Sequence, residues 1–110
     1  MSKDVVTIIV EPVPGTTLAE SKDEAKKVRQ ETILPALVAG RKVRLDFKRV
    51  DFATQSFIHA LISDAIRRYG DDVLELLEFK NCSEEVREIV MTVFEYTLDA
   101  AEAAKGVGSR

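Results

Sequence analysis

One cysteine, Cys82, and one histidine, His59, are all that this 110-residue chain offers toward thiol or imidazole chemistry. A lone thiol excludes an internal disulfide and a cysteine-based zinc cluster, and a reducing cytoplasm is the simplest setting for it. A lone imidazole excludes a histidine metal cluster within one subunit. No glycine-rich loop of the GxxxxGK[ST] or GxGxxG type is present to cradle a phosphate. No apolar run approaches the ~20 residues needed to cross a bilayer. The N-terminal MSKDVV lacks a basic segment followed by an apolar core, so no signal peptide is expected. Neither a cofactor nor a metal is expected from this inventory, and no enzyme.

An excess of positive charge is missing too. The formal charge is −3, with lysine and arginine scattered among acids, whereas general nucleic-acid binding needs a basic face dense enough to neutralise several phosphates. The one basic cluster, Arg41, Lys42, Arg44, Lys48 and Arg49, reads as the solvated side and flanks of a strand, or as an electrostatic docking site. With 45% apolar and 32% charged residues, the composition is that of an ordinary globular domain. Internal repeats and linkers are absent, which leaves one domain over residues 1–105 and a flexible tail over 106–110.

What is present is a change of period between Lys42 and Gly70. Val43, Leu45 and Phe47 alternate with charged residues, the two-residue period of a strand with one buried face. Beyond Ala53, Ile58, Leu61, Ile62, Ala65, Ile66 and Tyr69 recur at helical spacing. The junction, Ala53-Thr54-Gln55-Ser56, puts small polar side chains at a helix start beside a strand end, where α/β folds tend to meet their ligands and partners.

The remaining elements follow the same signals. Val5–Val10 is a β-branched strand stopped by Pro12, Pro14 and Gly15, apolar on both faces and therefore expected inside the sheet or at a subunit contact. Ser21 with Glu24 forms a capping box for a helix that turns Ala25, Val28, Thr32, Leu34, Leu37 and Val38 inward and ends at Gly40. Pro35 should kink that helix or split off its last segment. A second strand covers Lys42–Lys48, and a second helix Gln55–Tyr69, stopped by Gly70. A third strand is expected over Val73–Phe79. Ser83 then caps a last helix whose inner stripe is Val86, Ile89, Val90, Val93, Phe94 and Leu98. The order β-α-β-α-β-α predicts an α/β single small domain: a thin, mainly parallel sheet with helices mostly on one face.

Few residues could carry chemistry. Helical spacing puts His59 near Ser56 and Ser63, away from the apolar stripe. Its readings are a surface histidine, a partner contact, or a catalytic or pH-sensing group, and Ser56–His59 has no third group to orient the imidazole. Asp46, late in a strand, reads as a structural acid pairing with Arg44, Lys48 or a loop N–H. As a phosphoacceptor it would need the longer five-fold chain and acidic pair of bacterial receiver domains, and only Glu11-Pro12 follows the first strand. Cys82 precedes a helix start, which can lower a thiol pKa, or is a small inert half-buried residue.

Over Lys42–Ile66 the chain resembles the core of STAS domains, the sulfate-transporter and anti-sigma-factor-antagonist fold. Val43-Arg44-Leu45-Asp46-Phe47 is similar to the family's strand, Val50-Asp51-Phe52 to its loop, and Thr54-Gln55-Ser56-Phe57 stands at the Asp-Ser-Ser-Gly motif. The nearest likeness is to short bacterial STAS-like domains of uncharacterised function. The resemblance implies a non-enzymatic cytoplasmic signalling module whose partner is a GHKL-type kinase or an anti-sigma factor. By position Ser56 matches the phosphoacceptor, while Thr54 replaces the aspartate, Gln55 the first serine and Phe57 the glycine. The implied docking surface comprises Arg49, Asp51, Thr54, Gln55, Ser56, Phe57 and His59. Two other functions stay open: a small-ligand or nucleotide sensor, and a homo-oligomeric subunit such as a homodimer. The second is suggested by the doubly apolar first strand and by Met91, Phe94 and Tyr96.

Overall fold

A computed structural model describes residues 5–108, with side chains as far as residue 103. Three parallel strands, β1 (Val5–Ile9), β3 (Lys42–Asp46) and β5 (Leu77–Lys80), lie in the order β1-β3-β5. Their register lines up Val6, Val43 and Leu77 in one row and Ile8, Leu45 and Phe79 in the next. Val43 and Leu45 have no exposed surface, so this is the face the helices cover. The rows between them, Thr7-Arg44-Glu78 and Ile9-Asp46-Lys80, face away from the helices. There Arg44 pairs with Glu78 across two strands. The charged alternation of the middle strand is thus the mark of a sheet with one open face.

Five helices complete the covered face: α1 (Lys22–Val28), α2 (Leu34–Val38), α3 (Gln55–Tyr69), the single turn α4 (Val73–Leu76) and α5 (Glu84–Gly108). Helix α3 is the centre of the core, with Ile58, Leu61, Ile62, Ala65 and Ile66 all 1% exposed or less. It packs against both α1 and α5. The expected inner stripe of the last helix is present, with Val86, Val90 and Val93 buried and Ile89, Phe94 and Leu98 packed at its margin. Helical backbone continues to Gly108, past the expected tail boundary, and residues 109–110 of that tail lie outside the described residues.

Three expectations need correction. Strand β1 is not inside the sheet: among the described strands it is an edge, and Thr7 and Ile9 are exposed. The third strand does not begin at Val73. A 3-10 turn at Gly70–Asp72 and the helical turn α4 come first, and β5 spans only Leu77–Lys80. Val73 and Leu77 are buried while Leu74 is 65% exposed, a helical spacing in a run too short for its period to be decisive.

The third correction concerns the first helix. Pro35 does divide it, and the division is made by a π-helical segment, Arg29–Ile33, in which the Leu34 N–H reaches the Arg29 carbonyl. One extra residue per turn rotates the inward face. Ile33 and Ala36 are therefore buried and Val38 is turned out to 70% exposure.

Candidate functional site

Two very short strands position the site. β2 (Leu18–Ala19) and β4 (Phe52–Ala53) pair in parallel, Leu18 with Phe52 and Ala19 with Ala53. The Asp51 N–H donates to the Thr17 carbonyl at 2.9 Å and the Thr54 N–H to the Ala19 carbonyl at 3.0 Å. A helix follows each strand, so α1 and α3 start side by side where the chain leaves the carboxyl ends of the sheet strands. Ser21 Oγ accepts the Glu24 N–H at 3.2 Å, and Thr54 Oγ1 accepts the Phe57 N–H at 3.1 Å. Helix α5 joins them, because Ser83 Oγ accepts the Val86 N–H at 3.1 Å while donating to the Asp51 carbonyl at 2.7 Å. Three helix starts are thereby capped by hydroxyls and tied to one another through the loop before α3.

The seven residues expected to form one docking surface separate into distinct roles. Ser56 and Gln55 are exposed in the first turn of α3, and His59 is half-buried one turn on, its ring 6.2 Å from that of Tyr96. These three line the same groove. Thr54 is half-buried and engaged as the cap. Phe57 is 3% exposed; its bulk fills the core beneath the helix start, which corrects its assignment to the surface. Ser63, expected beside His59 on the open side, is also buried, at 2%. Arg49 lies elsewhere, in an open hollow with Pro12–Thr17, where it pairs with Glu11 at 3.2 Å. Asp51 has an exposed side chain, while its backbone carbonyl and N–H hold the loop.

The groove beside Ser56 has a volume of about 560 Å³ and runs between α1 and α3, with Tyr96 of α5 at one side. Lys22 and Lys26 enter it from α1, Arg29 from the π-helical segment that follows, and Asp64 and Arg67 from α3. Asp64 is engaged twice, by Arg67 at 3.1 Å and by Arg29 at 3.4 Å, and Arg29 also donates to the Ala60 carbonyl at 3.2 Å. Sequence inspection missed these basic residues. The spacing Lys22, Lys26, Arg29 was the available signal, one basic stripe along a helix. What gives it meaning is the β2–β4 pairing, and two-residue strands have no readable period.

The other candidates are structural. Asp46 Oδ1 accepts from the Lys48 N–H and from Asn81 Nδ2, both at 2.9 Å. The loop N–H is therefore its partner and Arg44 is not, since Arg44 belongs to Glu78. The Asn81 amide, with Lys48 and Lys80 assisting against some desolvation, holds the Asp46 carboxyl below its ordinary pKa. Burial pushes the Cys82 thiol up, with Asp46 adding to the rise and Arg87 opposing it, the reverse of an activated nucleophile. Cys82 borders an apolar groove of about 520 Å³ formed with Leu74, Phe79, Met91 and Phe94. Among the described residues no group of three or more His, Cys, Asp or Glu side chains could hold a metal. No helix among them is long and apolar enough to cross a membrane.

A thin parallel sheet covered on one face by helices, with a polar groove at the α3 start, defines a small α/β domain of STAS-like build. The family model described as a STAS-like domain of unknown function matches residues 24–87, more than half of the chain, and the chain belongs to that family. The match runs from within α1 to the first turn of α5; it takes in α3 and most of the groove lining, and leaves Lys22 and Tyr96 outside. No curated protein and no solved structure matches it.

Proposed function

We propose that this domain is a non-enzymatic bacterial regulatory module that binds another protein through the α3 start, in the manner of an anti-sigma-factor antagonist, with Ser56 as a phosphoswitch. The observation that carries the reading is the contrast within one helical turn. Thr54 and Phe57 are committed to the fold, while Gln55 and Ser56 are exposed. A hydroxyl in that position can be reached by a kinase without unfolding the helix start. The partner is an ATP-dependent kinase of the GHKL type or the anti-sigma factor it represents. The γ-phosphoryl of ATP passes to Ser56 Oγ, ADP leaves, and the hydroxyl proton goes to a base on the kinase. The dianion then stands at a surface that fitted the partner when neutral, and the complex dissociates. A reducing cytoplasm suits the single cysteine.

Affinity capture from the native cell, with and without ATP, tests this. Wild-type chain should retain an ATP-binding partner and Ser56→Glu should retain at least about tenfold less, a difference of about 1.4 kcal/mol. Equal retention by both would remove the switch, and retention of no partner would remove the docking surface.

A second reading, a homo-oligomeric subunit, is favoured by a different observation. Leu74 and Met91 are 65% and 52% exposed beside the apolar groove, and a second copy would cover such a surface. Sedimentation over a concentration range decides it: a monomer at every concentration ends this reading.

A further inference from the structure

The groove beside Ser56 is basic in a chain whose formal charge is −3. Among the described residues its one carboxylate is Asp64, which is engaged by Arg29 and Arg67. The two remaining cations, Lys22 and Lys26, are exposed and one turn apart on α1. Their height relative to Ser56 is set by the short strands. Ala19 pairs with Ala53; Lys22 is the third residue after Ala19, and Ser56 the third after Ala53. The parallel pairing therefore sets the starts of α1 and α3 side by side, with Lys22 in the first turn of one and Ser56 in the first turn of the other, and Lys26 a turn further along α1. Helices α1 and α3 pack together along this line, and all three side chains open into the same concavity.

We propose that Lys22 and Lys26 are an intramolecular receptor for a phosphoryl group carried by Ser56. The inference rests on the phosphoswitch reading above and specifies what the modified state does. A phosphoserine bears nearly two negative charges and three acceptor oxygens. Two ammonium groups on flexible stems can close on it from the facing helix as point charges, with no fixed fork geometry to satisfy. The phosphate is then drawn into the α1–α3 groove and its floor is closed by the lysine stems. Release of the partner follows from loss of the groove as well as from repulsion. Lys22 and Lys26 are positioning residues in this scheme; they do not take part in phosphoryl transfer.

The test uses the full chain with phosphoserine incorporated genetically at position 56, with no kinase or partner present. Failure here is thus separable from failure of docking. Phosphorus NMR follows the second ionisation of the phosphate. Around it stand Lys22 and Lys26 on α1, Arg29 on the π-helical segment, His59, Asp64 and Arg67 on α3, and the Tyr96 ring of α5. The native background should give a value lower by at least about half a unit than the Lys22→Ala/Lys26→Ala background. The difference should shrink in ~1 M salt, where the screening length is about 3 Å. Lys22→Arg/Lys26→Arg should restore the lower value. The first turn of α3 is common to every variant and cancels. A control, Lys42→Ala/Lys48→Ala, removes the same charge away from the groove. The proposal is overturned if the lysine-free groove leaves the phosphate ionisation unchanged, or if the control shifts it equally.

Discussion

Ser83 Oγ donates to the carbonyl of Asp51 at 2.7 Å and accepts the Val86 N–H at 3.1 Å, so one hydroxyl caps α5 and holds the loop that feeds α3. Replacing Ser83 by alanine removes both bonds at once. The cap and the loop contact together should cost about 1–2 kcal/mol of stability, read as a lower urea midpoint with unchanged slope. Ser83→Thr keeps the hydroxyl and should recover most of the loss. A midpoint unmoved by Ser83→Ala would mean that the α5 start and the Asp51 loop are held by other contacts.

Within the first turn of α3, neighbouring substitutions should have very different effects. Phe57→Ala empties a site only 3% exposed and should destabilise the domain by about 3–5 kcal/mol. Thr54→Ala loses only a cap, about 1 kcal/mol. Ser56→Ala should stay within about 0.5 kcal/mol, because the side chain is exposed and its hydroxyl makes no hydrogen bond among the described residues. Thermal or chemical denaturation of the three variants gives the ranking. A Ser56→Ala loss as large as that of Thr54→Ala would make Ser56 a structural residue and weaken its role as a switch.

The legible parts of this chain were those where several local signals agreed. Helix α3 was readable from end to end, because a threonine cap, a long apolar stripe and Gly70 all mark the same segment, and it spans Gln55–Tyr69 as expected. The strand expected over Lys42–Lys48 was readable from its alternation, since one sheet face is covered and the other open, and it ends two residues earlier, at Asp46. Val73–Leu76 misled because Val73, Leu76 and Leu77 are apolar in a run shorter than two helical turns. The π-helical phase shift before Pro35 exchanged Val38 for Ile33 and Ala36 in the core, and no composition signal marks such a shift. The groove was beyond local reading for a different reason. Lys22 and Ser56 are distant in sequence and become neighbours only through the β2–β4 register.

Cys82 tests the exclusion of thiol chemistry. Burial is the largest influence on it and pushes its pKa up from that of an exposed cysteine, so at pH 8 a smaller fraction is thiolate. Since the thiolate is the reactive form, iodoacetamide should label folded protein more slowly than urea-unfolded protein. Equal or faster labelling of the folded form would point to an activated nucleophile after all.

Asp46 and Asn81 give the domain a dependence on acid that can be assigned to one contact. Asn81 adopts φ 58°, a left-handed conformation that asparagine tolerates, and its amide donates to Asp46 Oδ1 at 2.9 Å. The folded-state pKa of Asp46 is lowered from 3.8, with that hydrogen bond the largest cause. The folded protein therefore binds this proton less tightly than the unfolded chain does. The stabilisation is complete above the unfolded value and is lost as pH falls through the folded one. Glu78, lowered chiefly by its hydrogen bond from Arg44, acts in the same direction. Stability should be level down to about pH 5 and decline below about pH 4. Asn81→Gly keeps the backbone conformation open and removes only the amide. Its stability should differ from wild type by one amount at pH 6 and by a smaller amount, relative to the glycine variant's own midpoint shift, at pH 3. Both carboxylates are solvent-accessible, so salt should flatten the acid dependence. Urea midpoints at the two pH values, at low and high salt, form the measurement. If wild type and Asn81→Gly lose stability in parallel between pH 6 and pH 3, Asp46 is not tuned by Asn81, and the acid response belongs to the Arg44–Glu78 pair across the open face.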